Sequence, residues 1–366
     1  NVLVDLQNSN LHVMSYSQSV SGRYRFSELK QHLHYLKDLP KAIPYRTSYY
    51  ADNWAFCVSY EQFLDYFSVD DEEVFEVFIS SKKKKGVMPV GELLIEGRSR
   101  KEYLISSYIC HPSMANDSLS GVLSAAFLAK HLLSVQETLE FSYRVVFVPE
   151  TIGAIAYAAK NEQQLKEIDV ALVMTTCGGP GKFGYKQSWE KSHYINELVE
   201  QVFNSHETEY IKYPFDIHGS DERQYASQAF RINTITITKD KYYEYPYYHT
   251  SLDDLNFVKA EYIAKTVELY KELLSNLDKN IIYKNTMTHC EVMLSKHDLY
   301  PKTGGTINQL STGMDKSELD IILELLFYAD GSLSLFELSK KIQVGIDVLY
   351  RIATILKEKY ILERVK

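Results

Sequence analysis

The sequence predicts an α/β domain preceded by a small β-rich region and followed by a helical module. From about residue 101 to residue 277, apolar strand-like runs alternate with segments of helical periodicity. The first 98 residues instead hold short runs rich in β-branched and aromatic residues, and amphipathic segments follow residue 313. Such alternation is typical of a mixed, mostly parallel sheet flanked by helices. We therefore predict three domains, at residues 1–98, 99–312 and 313–366.

The β-rich region is predicted from short runs that are separated by turn signals. Its predicted strands are Val2–Leu6, Leu11–Ser15, Trp54–Ser59, Val74–Ile79 and Glu92–Ile95. One helix is predicted at Phe26–Leu36. The basic run Lys82–Lys85 is short and lies between predicted strands, so we interpret it as a solvated hairpin tip.

The α/β domain is predicted from four apolar runs and four helical segments. The predicted strands are Glu102–Cys110, Phe141–Val148, Val170–Met174 and Arg231–Thr238, and the predicted helices are Ser118–Leu133, Thr151–Ile168, His193–Asn204 and Phe257–Leu277. In such sheets the chemistry lies in loops at the carboxyl ends of the strands, so the residues that follow these runs are the candidates for a site.

The C-terminal region is predicted to be a winged-helix module that follows a linker at residues 281–314. Its predicted elements are the helices Leu319–Phe327, Leu335–Ile342 and Val348–Leu356 and the strand Tyr360–Val365. Residues 315–366 contain 8 Lys and Arg against 9 Asp and Glu. This balance is poor for a DNA reader, so a docking or dimerisation module is the preferred interpretation.

Composition restricts the partners and the compartment. The net charge of −8 argues against a nucleic-acid partner, because phosphate binding needs a concentrated positive surface. No apolar run reaches the roughly 18 residues that a membrane span needs. The four cysteines form no CxxC pair, so neither a disulfide framework nor a thiolate zinc site is indicated. We expect reduced thiols in a cytoplasmic protein.

The most informative motif contains His111, Asp117 and the pair Ser120-Gly121. A predicted strand ends at the histidine, and the aspartate precedes a helix that the small pair allows to start close to the sheet. His and Asp are ligands that suit a divalent metal such as zinc. Alternatively, Asp117 only caps the helix and His111 is a packed loop residue. Their combination at the end of a strand favours a metal site.

Glu150 ends another apolar strand, and Gly153 follows it at the start of a helix. A carboxylate at such a place is costly unless it has a role. We predict a general base that takes a proton from a metal-activated water. The alternative is a carboxylate that the dipole favours at a helix start.

His249 follows a tyrosine cluster and is the candidate for the last metal ligand. Tyrosine clusters suit half-wet clefts, and the neighbouring Tyr248 is a candidate substrate contact. Asp253 or Asp254 would orient the histidine or cap the next helix. A lone histidine among tyrosines is more often structural, and only the series of motifs favours a ligand.

The segment Gly219–Tyr225 places Asp221, Glu222 and Arg223 in a row. Consecutive hydrogen-bonding side chains suit a substrate-binding loop, and an exposed turn is the alternative.

The order of these motifs resembles the zinc aminopeptidase superfamily, which includes bacterial leucyl aminopeptidases and glutaminyl cyclases. The motifs are a His, Asn-Asp-x-x-Ser-Gly, Glu-x-x-Gly, Ser-Asp and Tyr-His-Thr-x-x-Asp. Longer stretches resemble one bacterial family of aminopeptidase-like proteins that is often found with polysaccharide-biosynthesis genes. These stretches are Asn10–Ser17, Ile43–Tyr50, His111–Gly121, Pro149–Gly153, Glu222–Tyr225 and Tyr248–Asp253.

The resemblance implies an aminopeptidase-like (phosphorylase/hydrolase-like) α/β domain, an inserted β-rich domain and a C-terminal winged helix. It also implies that a piece of the catalytic domain precedes Asn1. Carried over residue by residue, it makes His111, Asp117 and His249 metal ligands, with Asp117 at the position that bridges two metals in relatives. Glu150 falls on the general base.

Two positions depart from the two-metal pattern. Thr151 stands where two-metal relatives have a second glutamate, and the segment Met174–Cys177 lacks the aspartate expected after the next strand. The remaining His-Asp-His set suits one zinc per chain with an open position.

The leading hypothesis is a zinc-dependent amide hydrolase that acts on a small amine-bearing or peptide substrate. The second is a non-catalytic binding or assembly protein of a polysaccharide-biosynthesis pathway with a degenerate metal site. A third, a transcription regulator, lacks a basic recognition surface in the winged-helix region. We expect no nucleic-acid or membrane partner, and self-association through the C-terminal module.

Overall fold

The computed structural model describes residues 1–49, 51–216, 218–300 and 316–365, and these form two compact units. The first unit comprises residues 1–196 and 203–269, and the second comprises residues 197–202 and those from 270 onward. The predicted boundary after residue 98 lies within the first unit. The predicted boundary after residue 312 and the end of the predicted linker lie outside the described residues. The division into three domains stays a prediction.

Fourteen strands and eleven α-helices follow one another along the described chain. The strands are β1 (Val20–Arg25), β2 (Leu33–His34), β3 (Phe56–Cys57), β4 (Val74–Ile79), β5 (Gly91–Ile95), β6 (Glu102–Tyr108), β7 (Ser142–Val148), β8 (Val170–Val173), β9 (Phe183–Lys186), β10 (Tyr210–Tyr213), β11 (Asn233–Lys239), β12 (Ile282–Asn285), β13 (Asp330–Ser334) and β14 (Leu362–Arg364). The helices are α1 (Phe26–Leu29), α2 (Tyr60–Phe67), α3 (Gly121–Ser134), α4 (Ile152–Lys160), α5 (Glu162–Leu165), α6 (Tyr194–Ser205), α7 (Glu222–Tyr225), α8 (Ala260–Lys279), α9 (Glu318–Tyr328), α10 (Leu335–Ile342) and α11 (Ile346–Glu358).

A seven-stranded mixed sheet forms the centre of the first unit, in the order β10-β9-β11-β8-β6-β7-β5. Its four inner strands from β11 to β7 run parallel, whereas β5 pairs antiparallel with β7 and β9 antiparallel with β11. Strands β8 and β11 are buried along their whole length, as expected for inner strands of a covered parallel sheet. Helix α3 packs on β6 and α7 packs on β8. This confirms the predicted α/β class.

Sequence reasoning does not predict β9 and β10, which extend the sheet beyond β11. Each strand has only four residues, and β10 leaves Ile211 and Lys212 exposed. The two strands pair parallel with each other, so β10 is stabilised by a tertiary contact rather than by a hydrophobic pattern of its own.

The β-rich region contains an antiparallel pair, β1–β4, and a two-residue parallel pair, β2–β3. The predicted helix Phe26–Leu36 is wrong in its length. Helix α1 ends at Leu29 and a 3₁₀ turn follows to His32, because Leu33 is drawn into a strand by its pairing with Phe56. The predicted strand Leu11–Ser15 is instead a 3₁₀ turn at Asn10–His12 followed by isolated bridges, and the predicted strand Val2–Leu6 contains no strand.

The second unit contains a three-stranded sheet, in the order β13-β12-β14, with the helices α9, α10 and α11. Helices α9 and α10 each begin with a reciprocal capping box, Ser317 with Asp320 and Ser334 with Glu337. The three C-terminal helices lie close to their predicted positions. Strand β12 falls in the segment predicted as a linker. Its two partner strands lie about 45 or more residues further along the chain, so the local sequence does not reveal the pairing.

No helix among the described residues combines the length and the apolar character needed to cross a membrane.

Candidate active site

The predicted site residues follow the carboxyl ends of neighbouring parallel strands. His111 comes three residues after β6, Glu150 comes two residues after β7, and His249 lies in the loop that follows β11. Asp117 lies in the turn Ala115–Ser120, which leads directly into α3. The topology therefore brings four residues from three distant segments to one edge of the sheet, as expected for an open α/β sheet.

Gly121 allows α3 to start against the sheet. A Cβ atom at this position would lie 2.2 Å from the carbonyl oxygen of Met174, which no side chain tolerates. Ser120 also holds the start of α3 against the segment that follows β8. Its hydroxyl donates to the carbonyl oxygen of Asn116 at 2.7 Å and accepts from the backbone N–H of Cys177 at 2.8 Å. The turn that carries Asp117 is thus held on the sheet from both sides.

His111, Asp117 and His249 converge on one point. Their candidate ligand atoms all lie within 4.8 Å of one another. His249 Nε2 is 3.0 Å from Asp117 Oδ2, and His111 Nε2 is 3.9 Å from the same oxygen. His249 Nε2 is buried and has no hydrogen-bond partner among the described residues, so the 3.0 Å contact lacks hydrogen-bond alignment. A buried nitrogen without a partner, in a His-Asp-His set, fits a zinc ion.

The Asp117 carboxylate is fully buried and held by its surroundings. Its Oδ1 accepts a hydrogen bond from the hydroxyl of Tyr108, which is itself 2.6 Å from Thr175 Oγ1. Burial acts to raise the pKa of Asp117, but contact with His249 and the charges of both histidines outweigh it and lower the pKa. The aspartate is therefore ready to bind a cation as a carboxylate.

Asp253 supports the turn rather than the histidine. Its carboxylate accepts from the backbone N–H groups of Asn116 at 2.6 Å and Asp117 at 3.0 Å, and from the hydroxyl of Tyr245 at 2.9 Å. The neighbouring Asp254 accepts from the backbone N–H of Asn256 at 2.8 Å, in a turn before α8. The sequence predicts that one of these aspartates orients His249 or caps a helix. It does not predict that Asp253 holds the backbone of Asp117.

Glu150 faces the cluster of His111, Asp117 and His249 from the end of β7. Its Oε2 is 3.8 Å from His111 Nε2, and its side chain is 23% exposed. Burial raises its pKa, with the charge of Asp117 acting in the same direction. A carboxylate with a raised pKa is a better proton acceptor, which suits a general base.

Cys110 links the candidate ligand to the candidate base. Its Sγ is 3.4 Å from His111 Nδ1, and it accepts a hydrogen bond from the backbone N–H of Glu150 at 3.1 Å. Burial raises the pKa of the thiol to about 12, so the thiol is protonated at neutral pH. Sequence reasoning assigned this cysteine no role, because no neighbouring residue pattern distinguishes it.

Thr151 stands at the position of the missing glutamate and has a left-handed backbone, with φ of 60°. A β-branched residue in this region is strained, and such strain clusters at functional sites. Its backbone N–H donates to Asp221 Oδ1 at 2.7 Å. Burial raises the pKa of Asp221 to about 8, and the nearby Glu150 and Glu222 charges add to this effect.

The other predicted substrate contacts lie in different environments. Glu222 is buried and pairs with Lys186 at 2.9 Å and with the hydroxyl of Tyr242 at 2.7 Å. Arg223 is exposed, and Tyr248 stacks on the His249 ring with a centroid distance of 3.9 Å. The roles of Asp221, Glu222, Arg223 and Tyr248 as substrate contacts stay predictions. The ion pair gives Glu222 a structural partner.

The β-rich region forms part of the site. The backbone N–H of Tyr45 donates to the carbonyl oxygen of His249 at 2.8 Å. The Tyr45 ring lies 5.2 Å from the His249 ring and 5.8 Å from the His111 ring, measured between centroids. Sequence reasoning missed Tyr45 as a site residue. Its occurrence in the long motif at Ile43–Tyr50 was the only available signal.

Comparison with solved structures defines the class of this fold. The chain is 32% identical to a crystal structure from Clostridium acetobutylicum that is named provisionally as a peptidase; the match covers 100% of this chain and 80% of that one, with a TM-score of 0.82. It also matches a zinc aminopeptidase from Bacillus subtilis over 67% of this chain and 63% of that one, at 13% identity and a TM-score of 0.52. The first unit therefore has the aminopeptidase-like fold.

Sequence comparison gives the family. Residues 38–280 match the family described as a domain of unknown function, DUF4910, and residues 281–364 match a winged helix-turn-helix family. A protein from Clostridium acetobutylicum, provisionally named a polysaccharide biosynthesis protein with aminopeptidase-like domain, is 34% identical over 357 residues, which is 96% of this chain and 79% of the relative. The chain belongs to this aminopeptidase-like family, and the predicted winged helix is confirmed.

Proposed function

We propose that this chain is a one-zinc amide hydrolase that acts on a small amine-bearing or peptide substrate. The observation that carries the proposal is the convergence of His111, Asp117 and His249 within 4.8 Å, with Glu150 3.8 Å from His111. These three residues would hold the metal. The aminopeptidase-like fold supports a hydrolase, and the site residues supply the chemistry.

The residues present favour one zinc over two. Thr151 and Thr175 offer hydroxyls where a second metal would need carboxylates, and Thr175 is engaged with Tyr108. Three protein ligands with one open position are typical of a catalytic zinc site, whereas structural sites use four.

Side chains of this protein would carry out the proton transfers and hold the reacting groups in place. Zinc, when bound, polarises a carbonyl oxygen and lowers the pKa of water. Glu150 would take the proton that the attacking water releases and deliver it to the departing amine, and its raised pKa suits both transfers. Cys110 would hold Glu150 and His111 at a fixed distance from each other, because its sulfur contacts both residues.

The test is zinc content by mass spectrometry on protein purified without chelators. Wild type should hold about one zinc per chain, and H111A and H249A should each lose it. His289 is exposed and belongs to the second unit, so H289A is the matched control and should retain the metal. A wild type that binds no zinc after addition of the metal would overturn the proposal.

The second candidate is a non-catalytic binding or assembly protein of a polysaccharide-biosynthesis pathway. The name of the Clostridium acetobutylicum relative favours it, as does the missing second set of carboxylates. Zinc-loaded wild type and E150Q separate the two candidates. Turnover of an amide panel by wild type and its loss in E150Q supports the hydrolase, whereas zinc binding without turnover supports the binding protein.

A further inference from the structure

Two segments of the β-rich region dock on the loops that carry the metal-ligand residues. Ile43 donates its backbone N–H to Ser251 Oγ at 2.9 Å, and Pro44 forms a bridge with Thr250. On the other side, the hydroxyl of Ser113 donates to Asn10 Oδ1 at 2.5 Å. The segments Asn10–Ser17 and Ile43–Tyr49 are thus fixed beside the cluster, although neither supplies a candidate ligand.

Three exposed tyrosines lie on these two segments and on the loop after β11. Tyr16 and Tyr49 come from the docked segments and are 61% and 64% exposed, and Tyr243 from the loop after β11 is 64% exposed. Tyr16 and Tyr49 stack with a centroid distance of 6.1 Å. Tyr243 packs at 4.8 Å on Tyr248, the ring that covers His249.

The electrostatic environment of Tyr49 includes the candidate base. Burial of its hydroxyl raises the pKa of Tyr49, and the charge of Glu150 adds to the rise, followed by smaller effects of Cys110, Tyr16 and Tyr243. Ring contacts give the location of these tyrosines: Tyr45, four residues before Tyr49, lies 5.2 Å from the His249 ring, and Tyr243 packs on Tyr248, which stacks on His249. The effect of the Glu150 charge on Tyr49 agrees with that location.

All three tyrosines have a strained backbone. Their φ angles are 65° for Tyr16, 48° for Tyr49 and 66° for Tyr243. Left-handed conformations are unfavourable for large residues, and a largely exposed aromatic ring recovers only part of that cost through burial. Glycine would serve each turn better if only the backbone mattered. Backbone strain clusters at ligand-binding sites, which makes these exposed rings beside the site candidates for contact with a ligand.

We propose that Tyr16, Tyr49 and Tyr243 form an aromatic subsite that binds a ring on the amine-bearing ligand, either an aromatic ring or a sugar ring. Each tyrosine offers an apolar face for stacking and a hydroxyl edge for hydrogen bonds. Aromatic platforms tolerate different flat rings, as they do different nucleobases, because each ring presents a π-face. A sugar ring would instead pack the C–H groups of one face on the tyrosines. The proposal rests on the proposed function only for the position of the reactive group at Glu150.

The experiment measures binding by calorimetry on the full chain, in zinc-loaded and metal-free form. The probes are phenylalaninamide and glucosamine, which carry a ring, and leucinamide, which carries an amine and an apolar branch without a ring. Wild type should bind at least one ring probe about tenfold more tightly than leucinamide. Each of Y16A, Y49A and Y243A should reduce that preference by about fivefold. Tighter binding of phenylalaninamide would indicate an aromatic ring on the natural ligand, and tighter binding of glucosamine would indicate a sugar ring.

Variants separate recognition from folding. Y49F should keep the preference, since it keeps the ring face. Y49G should lose the preference while its thermal midpoint stays at or above that of wild type, because glycine relieves the left-handed backbone. Y66A removes a tyrosine that is 38% exposed on α2 and should change nothing. Equal binding of ring and ringless probes by wild type, or a preference that survives in Y49A, overturns the subsite.

The outcomes for subsite and hydrolase are distinct. A ring preference in metal-free protein, without amide turnover by zinc-loaded protein, supports the subsite and contradicts the hydrolase. Turnover of leucinamide without any ring preference supports the hydrolase and contradicts the subsite.

Discussion

At the residue scale, Cys110 has the most unusual position in the site. Metal-binding histidines usually donate their second ring N–H to a carboxylate or a carbonyl oxygen. Here the only protein group found beside His111 Nδ1, among the described residues, is the Cys110 thiol at 3.4 Å. A thiol is a weak hydrogen-bond donor and a weak acceptor. Its contact therefore orients the ring more weakly than a carboxylate or a carbonyl oxygen would.

Replacing Cys110 should weaken zinc binding. C110A removes the Nδ1 partner and should reduce zinc affinity about tenfold or more, as loss of such supporting contacts does elsewhere. C110S restores a hydrogen-bonding group and should recover part of the affinity. Competition with a chromogenic chelator measures both. The exposed Cys290 provides the control, C290S, and equal affinities of C110A and C290S would contradict the prediction.

Asp221 should make folding stability depend on pH in metal-free protein. Its pKa is raised to about 8 in the folded state from an ordinary value of 3.8. The folded state therefore binds the proton more tightly, and stability falls as pH rises from about 4 to about 8, by at most about 1.4 kcal/mol per pH unit. D221N should flatten this fall. Urea unfolding at pH 5 to 8 measures it, and parallel curves for both proteins would refute it.

Sequence reasoning identifies the residues whose position after a strand is visible in a hydrophobic pattern. His111, Asp117 and Glu150 satisfy this condition, whereas His249 is favoured only by its place in the series of motifs. The structure brings all four together. Tyr45 does not satisfy it, because its place beside His249 depends on a contact between segments about 200 residues apart. Beyond the place of Tyr45 in the motif Ile43–Tyr50, a single sequence contains no signal for such a pair.

At the element scale, the start of α3 is the critical point of the site. The helix begins at Gly121, directly after the turn that contains Asp117. Its position depends on close contact with the backbone of Met174 and Thr175. The pair Ser120-Gly121 predicted this close approach, and the structure shows its geometric reason.

G121A should destabilise the first unit. The added methyl would lie 2.2 Å from a backbone oxygen, so the helix must shift, at a cost of about 1–3 kcal/mol or more. Zinc affinity should fall with it, since the same turn holds Asp117. Denaturant unfolding measures the change. Nothing lies within 4 Å of the corresponding position at Gly86, so G86A should stay within about 0.5 kcal/mol of wild type.

Elements with strong periodicity are the ones that the sequence predicts well. The helix Leu335–Ile342 and the strand Val74–Ile79 have their predicted bounds. Short elements such as β9, β10 and β12 depend on partners distant in sequence, so local patterns cannot reveal them.

At the scale of the whole molecule, zinc binding should be linked to stability. A metal that binds only the folded state stabilises it by about 2.7 kcal/mol at a free concentration of 100 times the Kd. Differential scanning calorimetry should show a higher midpoint with zinc, reversed by a chelator. H249A should show no shift, because it lacks the candidate ligand atom Nε2, which has no hydrogen-bond partner among the described residues. An equal shift in H249A would place the metal elsewhere.

Self-association through residues 313–366 stays a prediction of the sequence. Sedimentation velocity on the full chain and on a variant with F327S and Y360S would test it. These side chains are 80% and 85% exposed, so their replacement should not disturb the core. A dimer that becomes a monomer in the variant would support the prediction, whereas a monomeric wild type would contradict it.

The hydrogen bond between Ile43 and Ser251 joins positions that are 208 residues apart. During synthesis, at roughly 5–20 residues per second, the earlier segment would wait about 10 to 40 s before its partner leaves the ribosome. Closure of so long a loop is slow and comes late in folding. Because the carbonyl oxygen of His249 accepts a hydrogen bond from Tyr45 in the same early segment, the position of this candidate ligand is fixed only after this closure. Zinc binding would then follow this closure, and bound zinc would report that the segments around Ile43 and Ser251 are in contact.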